Sequence, residues 1–328
     1  MKRRRRLGLL LVVAFAGPPC APAVADEGIL TVQFENDIVA DADGQFTHGT
    51  RLAWMSPEGQ VPEWARRIAD AIPRLTEVST KRIVYSLGQS IFTPDDITIE
   101  EPVPEDRPYA GWLYAGIGLV SVGERALDNL EINVGVVGPA SFAEQTQTAF
   151  HRWFGFDRPE GWRHQLENEP GLELVFERKW RAWQKFGVGG LGGDVVPHVG
   201  VALGNVLTQG AAGLTLRIGD DLPNDYGPPR IRPSLPGSDY FDPEDRFGWY
   251  FFVGAEGRAV GRNIFLDGNT FRDSPRVDKR NLVADFQAGI AVIAGRVRLA
   301  YTHVLRTREF ETQDDPGQFG AFSVSTRF

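Results

Sequence analysis

The chain has 328 residues, a formal net charge of −8 and a single cysteine. This length suits one large domain or two small ones, and the acidic balance argues against a nucleic-acid-binding protein. The N-terminus resembles an export signal, with basic residues at 2–6, an apolar run at 7–16 and the cleavage motif Ala23-Val24-Ala25. We therefore expect residues 1–25 to be a signal peptide and residues 26–328 to form one domain.

The predicted mature chain has a distinct composition. Removal of residues 1–25 leaves 30 Lys and Arg against 43 Asp and Glu, a net charge of about −13, and removes Cys20. Disulfides and thiol catalysis are thereby excluded. No later stretch is long and apolar enough to predict a transmembrane helix.

Alternating segments, typical of strands with two different faces, recur through the mature chain. At the C-terminus, Phe322, Val324, Thr326 and Phe328 lie on one face. The twelve predicted strands are 29–37, 47–55, 82–92, 112–122, 130–137, 172–183, 195–207, 211–218, 249–260, 282–293, 297–305 and 319–328. With an export signal and a terminal Phe, they predict an all-β fold, a transmembrane antiparallel β-barrel of about 12 strands in a Gram-negative outer membrane. A soluble periplasmic β-protein is the alternative.

One helix interrupts this pattern, at Gly138–Gly155. Pro139 suits its first turn, and Ser141 with Glu144 forms a capping-box pattern. Glu144, Gln147 and His151 share a face at helical spacing, which favours proton chemistry. A surface histidine on a capping helix is the plainer interpretation.

Two long connections separate the strands. Residues 56–81 contain a predicted short helix at 62–72, and residues 219–248 are rich in Pro, Gly and Asp and predict a mobile loop. If the first strand runs outward, strand parity places both connections on the periplasmic side. The same parity brings the polar clusters and the short helix at 138–155 to the exterior rim.

The residues predicted at that rim suit ester hydrolysis. A histidine without a serine in a nucleophile-elbow setting suits activation of water. Carboxylate, amide and carbonyl oxygens suit Ca²⁺, which would polarise an ester carbonyl. The five histidines lack transition-metal spacing, and we expect His198 and His303 to face the lumen. The candidate residues are His151, Asp37, Asp157, Asn36, Thr47, Arg107 and Arg152.

Six short motifs in order resemble the LpxR-type lipid A 3′-O-deacylases, and they span nearly the whole mature chain. The motifs are Glu35-Asn-Asp37, Phe46-Thr-His-Gly49, Gln89-Ser-Ile-Phe-Thr-Pro94, Asp106-Arg-Pro-Tyr-Ala-Gly-Trp112, Val136-Val-Gly-Pro139 with Gln147 and His151, and Gly161-Trp162 with Gln165 and Glu167-Asn168. The resemblance implies a twelve-stranded outer-membrane barrel that removes the 3′-linked acyloxyacyl chain of lipid A with Ca²⁺.

The resemblance also implies roles for individual residues. His151 would activate water, Asp37 would bind Ca²⁺, and Asn36 and Thr47 would complete the site. Asp157, six residues after the histidine, is the position where a second acidic calcium ligand is expected. For substrate binding we add three residues, of which the two arginines are chosen from charge alone: Arg107, Arg152 and Gln147. We expect a monomer that binds lipopolysaccharide in the membrane and no nucleic acid.

Two other functions remain open from the sequence. An outer-membrane phospholipase with a serine nucleophile would be inactivated by a serine-directed phosphonate. A channel or structural barrel would conduct ions and would not need His151.

Overall fold

Strands dominate the part of the chain that the computed structural model describes, namely residues 27–37, 45–71, 80–231, 238–242 and 247–328. The thirteen strands of this part are β1 (Ile29–Asn36), β2 (Gln45–Met55), β3 (Thr80–Thr93), β4 (Ala110–Val122), β5 (Ala126–Val137), β6 (Glu169–Trp180), β7 (Gln184–Val188), β8 (Leu191–Gly204), β9 (Leu207–Asp220), β10 (Phe247–Asn263), β11 (Leu282–Ala294), β12 (Val297–Arg306) and β13 (Gly317–Arg327).

All of these strands belong to one antiparallel sheet that closes on itself. β1 pairs with both β2 and β13, and β6 pairs with β8 on the far side. The short strand β7 continues the line of β6, because Lys179 lies opposite His198 and Gln184 lies opposite Val195 on the same edge of β8. β6 and β7 thus occupy one position in a closed twelve-stranded barrel, which confirms the predicted fold.

Short helices occupy the connections. They are α1 (Glu63–Ala71), α2 (Ala143–Phe154) and α3 (Ile264–Asp267), with 3₁₀ turns at Pro139–Ser141 and Gly161–His164. α1 confirms the helix predicted at 62–72, although it begins one residue later, at Glu63, and residue 72 lies outside the described residues. Within the described ranges, no helix has the length and apolar character needed to cross a membrane.

The two faces of the barrel wall are inverted relative to a soluble protein. The outward residues of β1 and β2 include Val32 and Leu52, 44% and 46% exposed, whereas the lumen-facing Gln33, Glu35 and Arg51 are buried. Such a wall can face hydrocarbon while its lumen remains polar. The distribution therefore fits a barrel placed in a membrane.

The strand alternation also locates two histidines. His198 lies in the lumen as predicted, with Nε2 3.3 Å from Glu256 Oε2. His303 alternates with the buried Thr302 and Val304 and shares the outer wall with the exposed Leu299 and Leu305. The prediction that His303 faces the lumen is therefore wrong.

The connections divide between two rims. We call upper the rim that follows β1, β3 and β5, and lower the rim beside Gly28 and Phe328, which exchange backbone hydrogen bonds of 3.1 and 3.0 Å. The motifs predicted to share a rim follow β1, β3 and β5 or open β2 and β4, so all lie at the upper rim. Both long connections join strand ends at the lower rim, as strand parity predicted.

The long β9–β10 connection enters the lumen. We call its described residues 221–231 and 238–242 the lumen plug. Fully buried Asp225 accepts hydrogen bonds from Tyr250 Oη (2.8 Å), Arg298 Nη1 (3.1 Å) and Arg217. Asp239 pairs with Arg51 at 3.0 Å. The expectation of a mobile loop is wrong for these residues, because Asp225, Tyr226, Asp239 and Phe241 among them are buried in the lumen.

The plug reaches the strand that carries the predicted site. The backbone N–H of Ile231 donates a 2.7 Å hydrogen bond to Glu35 Oε1. Glu35 immediately precedes Asn36 at the upper end of β1. The lumen is therefore occupied by protein from the lower rim to the level of the candidate site.

Candidate active site on the outer wall

The backbone around α2 is shaped by left-handed residues rather than by the predicted capping box. Gly138 has φ 99°, and a Cβ there would lie 2.6 Å from the Glu167 carbonyl group. Ser141 Oγ donates to the Gly138 carbonyl at 2.6 Å, and Phe142, with φ 58°, is the N-cap without a side-chain cap bond. The capping box is wrong because the Ser141 hydroxyl already serves the preceding 3₁₀ turn.

α2 lies against the outside of the barrel wall. A Cβ at Gly111, on β4, would overlap with Ser141 Oγ and Ala143 Cβ. Gln89 Nε2, on β3, donates to the Ser141 carbonyl at 2.7 Å. A glycine at position 111 thus permits the close approach of α2.

The far end of α2 reaches β1 and β2. The Phe150 ring lies 6.2 Å from the Phe34 ring and 5.9 Å from the His48 ring, measured between centroids. His48 follows Thr47 in the chain and lies opposite Asn36 in the sheet. Phe150 precedes His151, so the structure brings the helix end with His151 to the strand ends with Asn36 and Thr47.

His151 is buried, and its ring is held by the backbone. Its Nδ1 lies 2.6 Å from the carbonyl oxygen of Asp157. A carbonyl only accepts hydrogen bonds, so Nδ1 carries the proton, and in the neutral ring Nε2 is the basic nitrogen. This tautomer leaves Nε2 available to act as a general base.

The helix face carrying His151 is narrower than predicted. Gln147 and His151 are buried together with Ala143, whereas Glu144 is exposed. Trp162 Nε1 donates to Gln147 Oε1 at 2.7 Å, and Gln147 Nε2, although buried, has no hydrogen-bond partner. Gln147 therefore presents an unused N–H group one helical turn from His151.

Trp162 is itself fixed by an aromatic neighbour. Tyr109 packs on it with ring centroids 4.9 Å apart and donates its hydroxyl to the Ile97 carbonyl at 3.1 Å. Burial raises the pKa of Tyr109 to about 12. The hydroxyl therefore remains protonated and keeps this bond through the neutral and moderately alkaline range.

Asn36 and Thr47 are hydrogen-bonded to each other at the upper rim. Asn36 Nδ2 donates to the Thr47 carbonyl at 2.7 Å, and the Thr47 and Thr93 hydroxyl oxygens lie 2.6 Å apart. The β2–β3 register shifts between Phe46 and His48, so a bulge sits at Thr47. Bulges re-aim side chains at barrel rims, which explains how the Thr47 and Thr93 hydroxyls meet.

Two of the predicted site residues are acidic. Asp37 is buried directly after β1, whereas the Asp157 side chain is exposed and its carbonyl holds His151. Among the residues that the structure describes, no group of three or more His, Cys, Asp or Glu is arranged to hold a metal ion. The carboxylate of Asp37 is buried and is an oxygen ligand of the kind that Ca²⁺ prefers.

The two predicted arginines are placed differently. Arg107 is fully buried, pairs with Glu309 at 3.2 Å and lies 5.4 Å from the Phe92 ring. This environment argues against the predicted contact with a substrate phosphate, because the guanidinium already has a buried counter-ion. Arg152 is exposed on α2.

Sequence reasoning missed two residues of the site. Thr93 lies in the motif that opens with Gln89, and Trp162 belongs to the Gly-Trp motif, so both lay inside recognised segments. Their roles depend on partners 46 and 15 residues away in the chain, respectively. No periodicity within a single element identifies such contacts.

These features define a membrane β-barrel with a buried histidine site on the outside of its wall. The family described as "Outer membrane protein LpxR" matches residues 7–328. The chain therefore belongs to the LpxR family of outer membrane proteins, which confirms the resemblance seen in the motifs.

One solved structure agrees in fold over nearly the whole chain. LpxR from Salmonella typhimurium is similar with a TM-score of 0.74 and 19% identity, over 92% of this chain and 100% of that one. The β domain of the Bordetella autotransporter BrkA gives a TM-score of 0.42 and 8% identity, covering 93% of this chain and 98% of that one. The latter value is too low to carry an argument. No curated protein sequence matches the chain.

Proposed function

We propose that this protein is a Ca²⁺-dependent hydrolase that removes the 3′-linked acyloxyacyl chain from lipid A in the outer leaflet. The family membership and the site on the outer wall support this proposal. A site on the outside of the wall, near one rim, is reachable by a lipid that lies in the membrane. In this proposal the upper rim faces the cell exterior.

The hydrogen bond from His151 Nδ1 to the Asp157 carbonyl carries the mechanism. It fixes the ring and leaves Nε2 to take a proton from water. The resulting hydroxide adds to the ester carbonyl carbon, and the bond from that carbon to the sugar oxygen then breaks. The proton held on His151 passes to the leaving sugar oxygen, and the acyloxyacyl chain departs as a carboxylic acid that loses its proton to solvent.

Asn36 and Thr47 are proposed to stabilise the oxyanion. The Asn36 amide is fixed by its bond to the Thr47 carbonyl. The Thr47 and Thr93 hydroxyls carry two protons and use one between them, which leaves one to donate. Donors fixed before the reaction stabilise developing charge without reorganising. The unpartnered Nε2 of Gln147 is proposed to contact the substrate beside them.

We assign the metal to Asp37, with Asp157 as a second ligand. Bound Ca²⁺ would polarise the ester carbonyl and add positive charge beside the oxyanion. Asp37 would hold the ion through its buried carboxylate, and the exposed carboxylate of Asp157 would approach from the loop after α2. Arg152 is exposed on the same helix and would meet a sugar phosphate, whereas buried Arg107 would not.

The lumen plug weighs against the channel function. Its buried contacts with Arg51, Arg298 and Glu35 fill the lumen that an ion would have to cross. The phospholipase alternative requires a serine nucleophile, and the serine described beside α2, Ser141, uses its hydroxyl to bond the Gly138 carbonyl.

Mass spectrometry of lipid A tests the proposal. Folded protein in detergent is incubated with lipid A and either Ca²⁺ or EDTA. We expect loss of a mass equal to one acyloxyacyl group with Ca²⁺ and an unchanged spectrum with EDTA. Unchanged lipid A in both samples, from protein shown to be folded, would overturn the proposed function.

A further inference from the structure

Aromatic rings form a continuous path between His151 and the outer wall. We call the rings of Phe34, His48, Phe150, Phe154 and Phe156 the aromatic track. Phe156 lies 5.7 Å from His151 and 6.2 Å from Phe150 between ring centroids, and Phe154 lies 4.6 Å from Phe150. Phe150 in turn lies 6.2 Å from Phe34, which meets His48 edge-on at 4.9 Å. Each ring thus contacts the next one, from His151 to the barrel wall.

The track continues onto the lipid-facing surface. Along β1, the next outward residue below Phe34 is Val32, which lies opposite Leu52 of β2, and both are strongly exposed. Two residues along a strand span about 7 Å. The apolar path therefore leads from His151 to a surface that the membrane hydrocarbon covers.

The polar member of the track is oriented by its neighbour. His48 Nε2 lies 2.8 Å from the Thr50 hydroxyl, which sits opposite Phe34 in the sheet. The polar edge of the His48 ring is thereby satisfied, and its face lies beside Phe150. His48 can thus pack as an aromatic ring among apolar neighbours.

The end of the track nearest the helix is open. Phe154 is 61% exposed although it packs on Phe150 and Phe156. Exposed apolar surface next to a polar site is typical of a ligand-binding groove. The occupant must be apolar, elongated and supplied by the membrane, which describes an acyl chain.

We propose that the aromatic track binds the acyl chain attached to the reacting ester and sets the preferred chain length. This inference rests on the proposed function, because it places the ester carbonyl beside His151 and the chain along the track toward Val32. Each methylene moved out of water contributes about 0.8 kcal/mol, which is about fourfold in affinity. A chain that leaves membrane or detergent hydrocarbon gains less, so chains that end within the track should gain at most about this factor for each added methylene.

The test separates binding from hydrolysis. Non-cleavable ether analogues and the matching esters are compared over a series of chain lengths in one detergent. Wild type, Phe150→Ala and Phe154→Ala are measured, with Trp153→Ala as the matched control. Trp153 lies on the same helix and is 79% exposed, so its truncation removes an aromatic ring outside the track. Micelle partitioning changes equally for all variants, so only differences between them count.

We expect the affinity of wild type and Trp153→Ala for the ether to rise with each methylene by the same factor, at most about fourfold, and that of Phe150→Ala to rise by a clearly smaller factor. Phe154→Ala should show an intermediate change of affinity per methylene. Because Phe154 is exposed, this variant should fold even if Phe150→Ala does not. Equal slopes in all four proteins would overturn the track. A track-dependent slope with the ethers but no hydrolysis of any ester would keep the track and overturn the proposed function.

Discussion

The lumen and the outer-wall site hold different kinds of buried polar group, namely ion-paired charges in the lumen and neutral amide, hydroxyl and imidazole groups beside α2. In the lumen, Asp285 accepts from Arg306 at 2.9 and 3.0 Å and from Arg258 at 2.9 Å, and Arg230 lies 3.4 Å away. On the outer wall, Gln147 is equally buried but leaves its Nε2 without a partner. Breaking a buried ion pair destabilises a fold strongly, whereas a neutral amide donor beside a fixed histidine is suited to a ligand.

This contrast assigns different consequences to mutations in the two regions. Changes in the lumen should lower the stability of the barrel and spare the reaction in each folded molecule. Changes on the outer wall should lower the reaction rate and spare the barrel. Four experiments, ordered from the largest expected effect to the smallest, test this division.

Replacement of Asp225, the buried carboxylate that holds the lumen plug, should have the largest effect on stability. Asp225→Ala leaves Arg217 and Arg298 buried without their shared counter-ion, which should lower the free energy of unfolding by about 3–5 kcal/mol. Urea unfolding in lipid vesicles measures this, and the exposed Asp220→Ala is the control, expected within about 0.5 kcal/mol of wild type. A large loss of activity per folded Asp225→Ala molecule would break the division.

Displacement of α2 should lower the reaction rate and leave the stability of the barrel unchanged. In Gly111→Val the new side chain would overlap with Ser141 and Ala143, so the helix must move away from β4. A shift of about 1 Å costs on the order of 100-fold in rate. The measurement is kcat/KM for lipid A, with heat-modifiable gel mobility as the check of folding.

Gly257→Val is the matched control for this shift. Gly257 is exposed on β10, and a Cβ there would have no heavy atom within 4 Å. We expect its kcat/KM to equal that of wild type. Unchanged kcat/KM in Gly111→Val would show that the docked position of α2 is not needed.

Asp157→Asn should separate the two proposed roles of this residue. The substitution retains the backbone carbonyl that holds His151 but removes the charge proposed to bind Ca²⁺. We expect kcat at saturating Ca²⁺ to be retained and the half-activating Ca²⁺ concentration to rise by up to about tenfold, since one weak ligand contact is worth about 1.4 kcal/mol or less. A lower kcat with an unchanged Ca²⁺ requirement would remove Asp157 from the proposed metal site.

A serine-directed phosphonate should have no effect. The proposed mechanism uses water activated by His151 and forms no covalent enzyme intermediate. Lipid A hydrolysis should therefore proceed at the same rate after treatment. Stoichiometric inactivation would favour the phospholipase alternative, and intact-protein mass would identify the modified serine.

The barrel was predictable from the sequence because apolar and polar residues alternate regularly along its strands. Alternation along each strand reports which residues face lipid, and strand parity then assigned the rims, including the lower position of both long connections. The buried lumen plug was not predictable in this way. Its contacts, such as that of Ile231 with Glu35, join residues 196 apart in a segment whose composition resembles a mobile loop.

The site was predicted in part. Gln147 and His151 fall on the buried face of α2 as helical spacing indicated, but Glu144 does not, because the helix begins at Ala143 after a left-handed cap at Phe142. The burial of Arg107 was also missed, because its partner Glu309 is 202 residues away. Charge alone does not tell a substrate-binding arginine from one already paired.

The most direct test of the central claim compares wild type, His151→Ala and His164→Ala in one assay. His164 is a partly exposed histidine beside Glu101, with Nε2 and Oε2 3.7 Å apart, and serves as the matched control. With Ca²⁺ present, mass spectrometry should show loss of the acyloxyacyl group from lipid A with wild type and His164→Ala. We predict a rate for folded His151→Ala that is about 10²–10⁴-fold lower. Equal rates for all three proteins would contradict the assignment of His151 as the base.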